Sequence, residues 1–151
     1  MRTPSSPHGT AAWLSVVRAY HLCERVMSAR LAPLGVKLAE HEVLANLSTA
    51  PGITQQVLAA RSFNAKSHVS MLLKQMEAQG LVRREANPAD ARAKCLFLTE
   101  AGTALARQTM KVQAEVVSRM AAPMTVKELD LVEKLMTPAS EVLQAMLDEG
   151  P

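Results

Sequence analysis

Aromatic side chains are scarce in this 151-residue chain, at 3% of residues, although hydrophobic residues make up 48%. Its core must therefore be built from Leu, Val, Ala and Met. Only two cysteines are present, Cys23 and Cys95, which make no disulfide framework and fit a reduced, cytoplasmic setting. No run of about 18 apolar residues is available to span a membrane. The N-terminus has no apolar stretch of the kind a signal peptide needs. There is no glycine-rich phosphate loop, no nucleophile elbow and no recognisable pair of catalytic carboxylates, so the chain does not read as an enzyme. No cofactor is expected. His41-Glu42 lacks a second histidine at helical spacing, so no metal site is expected either.

What the chain does have is positive charge in one place. The net charge is +3. Between Arg61 and Lys94 seven bases face three acids, a local +4 that leaves −1 for the remainder. Such concentration is the electrostatic footprint of a polyanionic partner. Eight prolines and six glycines punctuate long helix-friendly stretches, which predicts a mainly α protein.

Residues 1–10 are Pro/Ser-rich and read as a disordered tail, leaving residues 11–151 as one domain. A first helix is expected from about Ala11 to Leu31 and a second from about Ala39 to Thr49, with Pro33-Leu34-Gly35 between them. Thr54 is suited to cap a short helix over Gln55–Arg61. After a tight turn at Arg61-Ser62-Phe63, Asn64 is placed to cap a helix reaching Gln79. Within that helix Val69, Leu72, Leu73 and Met76 fall at i, i+3, i+4 and i+7, one core-facing stripe. The opposite face carries Ser67, Ser70, Met71, Lys74 and Ala78, with Lys66 and His68 on its shoulders. Small, hydroxylated and basic residues suit entry into a major groove.

Two brief extended runs follow, Leu81–Glu85 and Lys94–Leu98. The loop between them, Ala86–Ala93, is longer than the roughly two to five residues a hairpin needs. It carries Asn87-Pro88, Asp90 and Arg92. Two helices joined by a tight turn and followed by a long basic hairpin define a winged helix-turn-helix, about residues 39–99. Thr99 opens a fifth helix from Glu100 to about Met120. The capping box Thr125-x-x-Glu128 opens a sixth towards Leu147, with a kink or restart expected at Thr137-Pro138. The first, fifth and sixth helices, about residues 11–32 and 100–149, are apolar enough to require burial in a dimer interface.

These pieces together resemble the MarR family of bacterial transcription regulators. The matching residues are TQQVLAARSF (Thr54–Phe63), MEAQGLV (Met76–Val82), Asp90-x-Arg92-x-Lys94, and LTEAG (Leu98–Gly102). The resemblance implies a homodimeric repressor binding double-stranded DNA at a pseudo-palindromic promoter site, released by a small, often aromatic anionic effector. On this reading Lys66, Ser67, His68, Ser70, Met71 and Lys74 face the major groove. Arg92 enters the minor groove, Asp90 orients it, and Arg83, Arg84 and Lys94 meet phosphates. Met71 stands where the family often has an exposed Arg, and Ala65 where a polar cap is common. Trp13, Tyr20, His21, Arg25 and His41 are the candidate effector contacts. Two other readings stay open: a redox-sensing regulator acting through Cys23, and a winged-helix module that binds protein rather than an operator.

Overall fold

The computed structural model describes residues 7–151 and divides the chain into two compact units, Met1–Ala114 and Glu115–Pro151. The first unit begins with α1 (Pro7–Leu31), which ends in a short 3-10 turn at Ala32–Leu34. Then come α2 (Leu38–Thr49), α3 (Gln55–Arg61), α4 (Lys66–Ala78), strands β1 (Val82–Ala86) and β2 (Lys94–Leu98), and α5 (Glu100–Ala121), which runs on into the second unit. Helix α1 starts four residues before the expected Ala11, so Pro7–Thr10 are helical rather than tail. The rest of the expected tail lies outside the described residues.

Sequence chemistry accounts for most boundaries. Thr54 caps α3, its hydroxyl accepting from the Val57 amide at 3.2 Å. Helix α4 turns Val69, Leu72, Leu73 and Met76 inward, the four positions of the apolar stripe. With Leu31, Leu44, Leu47, Leu58 and Leu96, which are all but inaccessible, they form an aliphatic core. Burying each such side chain stabilises the fold by roughly 1.5–3 kcal/mol. Helix α4 stops at Gly80, which takes φ +72°, a left-handed conformation that costs a glycine little. The Gly80 amide donates to the Glu77 carbonyl and the Leu81 amide to the Met76 carbonyl, the paired bonds of a Schellman stop.

The strands pair antiparallel, Val82 opposite Leu98 through Ala86 opposite Lys94. A third segment, too short to show in the sequence pattern, extends this ribbon. The Leu96 amide donates to the Ile53 carbonyl at 2.9 Å, the Gly52 amide donates to the Leu96 carbonyl at 2.8 Å, and Thr54 bridges to Cys95. The wing is thereby hydrogen-bonded to the residues leading into α3.

Its base is closed as well. The Thr99 amide donates to the Leu81 carbonyl at 3.0 Å, and the Thr99 hydroxyl donates to the Gly80 carbonyl and accepts from the Gly102 amide. Gly102 is forced here: a Cβ would collide with the carbonyl of Leu81.

In the second unit α6 (Val126–Glu149) opens on the expected capping box, with the Thr125 amide donating to Glu128 at 2.7 Å. Helix α6 continues through Pro138 without the restart that was one of the two expectations there: Thr137 and Pro138 are both helical. None of its residues is buried, although Leu131, Val132, Leu135, Leu143 and Met146 are apolar.

Gly102→Ala is expected to destabilise the protein by about 1–3 kcal/mol, because backbone rather than a flexible side chain must move. A chemical denaturation midpoint equal to that of the natural protein would contradict the tight closure at Leu81.

Candidate nucleic-acid interface

The outer face of α4 presents Lys66, Ser67, Met71 and Lys74 exposed, with His68 and Ser70 half-buried beside them. Lys66 and Lys74 form no ion pair among the described residues. The one acid near that face, Glu77, accepts from Arg84 Nε at 2.8 Å, so its charge is compensated within the protein. Met71, 51% exposed, is an apolar point in an otherwise polar row and suits contact with a thymine methyl.

Three expectations for this region change in detail. Asn64 does not cap α4. The cap position is Ala65, which has no side-chain acceptor, and Asn64 instead donates from Nδ2 to Glu42 Oε2 at 2.8 Å. Arg84 is not an open cation: it is half-buried, and besides Glu77 its Nη1 donates to Gln55 Oε1 at 2.9 Å. It ties β1 to the start of α3 and the end of α4. Arg83 is similarly engaged, bonded to Glu85 and lying over the Phe97 ring at 4.6 Å.

The wing loop is held by its own short acceptors. Asn87 Oδ1 accepts from the Ala89 amide and Asp90 Oδ1 from the Arg92 amide, each at 3.0 Å. The Asn87 amide reaches the Ala93 carbonyl at 3.2 Å, and the Ala93 amide the Asp90 carbonyl at 3.1 Å. Asp90 thus orients Arg92 through its backbone, not by pairing with its guanidinium. Arg92 and Lys94 are exposed and unpaired among the described residues. Between wing and α3 lies an open groove of about 400 Å³ lined by Gln55, Gln56, Arg84, Asp90, Arg92 and Lys94. The two glutamines were not singled out by sequence. Their only signal was position, directly after the Thr54 cap.

The candidate effector residues are not all of one kind. Trp13, Tyr20, His21 and Arg25 are exposed on α1, with the Tyr20 and His21 rings 5.7 Å apart. The Tyr20 hydroxyl donates to Glu24 at 2.9 Å. That bond, then partial burial and the nearby charges of Glu24 and Glu42, raise its pKa above the usual phenol value. The hydroxyl therefore serves Glu24 rather than the half-buried Cys23. His41 is only 3% exposed on α2; its Nε2 meets Gln113 Oε1 of α5 at 2.6 Å, and its Nδ1 has no partner among the described residues. Cys95 is half-buried on β2, within the ribbon.

A two-helix unit with a basic outer face, followed by a hairpin whose tip carries exposed cations, is a winged helix-turn-helix. A model of the MarR family matches residues 34–93. The HTH-type transcriptional repressor Rv2887 of Mycobacterium tuberculosis is 33% identical over 113 residues, covering 72% of this chain and 81% of that protein. The crystal structure of AbsC, a MarR family transcriptional regulator from Streptomyces coelicolor, superposes with a TM-score of 0.85 at 26% identity, over 96% of this chain and 99% of that one. Rv2887 in complex with salicylic acid superposes with a TM-score of 0.66 at 26% identity, over 90% and 98%. The chain belongs to the MarR family of transcription regulators.

Lys74→Ala is expected to lower DNA affinity and flatten the dependence of log K on log salt by about one unit, the signature of one lost phosphate contact. An unchanged slope would remove Lys74 from the interface. Arg92→Ala is expected to weaken binding at least about tenfold at matched salt while leaving the melting temperature alone. Full affinity in that variant would rule out the wing tip as a DNA contact.

Proposed function

We propose that this regulator is a homodimeric repressor that occupies a pseudo-palindromic promoter site and leaves it when a small aromatic anion binds. The observation that carries the reading is the pairing of an acid-compensated, basic α4 face with a wing whose loop is locked and whose cations are exposed. Each α4 lies in a major groove, where Ser67, His68, Ser70 and Met71 meet base edges and Lys66 and Lys74 meet phosphates. Arg92 enters the flanking minor groove, where a narrow A·T-rich stretch concentrates negative potential. Lys94 meets backbone phosphate. Arg83 and Arg84, already bonded internally, contribute field and rigidity more than direct contacts.

The dimer reading is supported by apolar side chains left exposed on α1 and on α6, which has no buried residue. Isolated exposure is ordinary, but repeated apolar positions along two long helices mark an association surface. The repressor reading follows the function named for the 33% identical relative. The effector reading follows the structures of Rv2887 with salicylic acid and with p-aminosalicylic acid. Trp13, Tyr20, His21 and Arg25, exposed on α1, supply the stacking and donor groups such an anion needs. The protein acts in the cytoplasm, on the promoter itself.

Fluorescence anisotropy with the promoter DNA flanking its own gene, against scrambled DNA, tests the reading. Selective binding that weakens steeply with salt and is reversed by salicylate is expected. Equal binding to both duplexes would contradict operator recognition there, and no binding at low salt would favour a protein-interaction module.

A further inference from the structure

Helix α4 begins without a cap of its own. Ala65 occupies the cap position and has no side-chain oxygen to offer the first-turn amides, where a serine or aspartate would stabilise the helix start. Something else must fix where this helix begins and how its first residues point.

The neighbouring turn is pinned from outside. Glu42, half-buried on α2, directs its Oε2 at both polar residues of the α3–α4 turn. It accepts from Asn64 Nδ2 at 2.8 Å and from the Ser62 hydroxyl at 3.4 Å. The turn is closed on itself as well, the Asn64 amide donating to Ser62 Oγ at 3.2 Å. With Ser62 and Asn64 committed to Glu42, Phe63 between them is left 89% exposed. Two side chains 20 and 22 residues after Glu42 thus converge on its one carboxylate oxygen, the second of them two residues ahead of Lys66.

We propose that Glu42 is a positioning residue for DNA reading: its carboxylate latches the α3–α4 turn and so sets the entry of the recognition helix α4. Glu42 touches no DNA itself. Hydrogen bonds to an ionised acceptor are about twice as strong as neutral ones, and this pair fixes the turn from which the uncapped helix starts. Without the latch, the first turn of α4 must be ordered when DNA binds, and that ordering cost is subtracted from affinity.

The inference rests on the reading of α4 as the DNA-contacting helix, so the test has one arm that needs DNA and one that does not. Glu42→Ala and Glu42→Gln both remove a negative charge, which by itself would favour DNA. Only the glutamine keeps an oxygen able to accept from Asn64 and Ser62. The probe is a duplex selected by the natural protein from a random pool. Glu42→Ala is expected to bind it about tenfold more weakly with the salt slope unchanged, and Glu42→Gln within about threefold of the natural protein. Asn64→Ala should reproduce the loss, and the double variant Glu42→Ala/Asn64→Ala should be no worse than either single one, as for residues acting through one contact.

The second arm is hydrogen–deuterium exchange on the protein alone. Amides from 62 to 70 should exchange faster in Glu42→Ala than in Glu42→Gln, with α2 protected equally in both. Equal affinity and equal exchange in the two Glu42 variants would overturn the latch. If the natural protein selects no sequence, the DNA reading fails and the exchange arm alone judges the latch. If Glu42→Ala does not fold, Asn64→Ala at its half-exposed position carries both arms.

Discussion

Everything that points towards DNA in this protein hangs from one closure, the carbonyl of Leu81. It sits just past the Schellman stop of α4, accepts the Thr99 amide at 3.0 Å, and leaves no room for a side chain at residue 102. The end of α4, both feet of the wing and the start of α5 are thereby brought to one place. A ribbon of two five-residue strands is marginal in water by itself. Here it is held at its base by this closure and along β2 by the bonds of Gly52, Ile53 and Thr54.

The charges divide by what they do. Arg83 and Arg84 are spent inside the protein, on Glu85 with the Phe97 ring and on Glu77 with Gln55. Arg83 stiffens the ribbon itself, and Arg84 the joint between the wing and helices α3 and α4. Lys66, Lys74, Arg92 and Lys94 are exposed and carry no ion pair among the described residues, so the field they set up is available to a partner. A basic segment of net +4 does not by itself distinguish these roles; partners and burial do. The same logic applies to the acids, since Glu77 neutralises an arginine, Asp90 holds a turn and Glu42 holds another.

Much of this was legible in the sequence because the signals were local. The Thr54 cap, the stripe at Val69, Leu72, Leu73 and Met76, the overlong hairpin and the Thr125–Glu128 box each act within a few residues, and each is found where expected. What escaped was long-range or cooperative. Asn64 resembles a cap in sequence, yet its side-chain amide donates to Glu42, 22 residues earlier, and Ala65 takes the cap position. The short segment at Gly52–Thr54 has no alternation to betray it. Pro138 lies within an unbroken helix although its missing N–H removes a bond, and no local rule would have placed it there.

The most direct test of the account is a chemical footprint of the protein on its operator, read separately in the two grooves. Two patches of major-groove guanine protection about 10 base pairs apart, each flanked by minor-groove adenine protection, are predicted for a two-fold pair of winged helices. A single major-groove patch, or major-groove protection with the flanking minor grooves fully reactive, would contradict the docking of α4 and the wing.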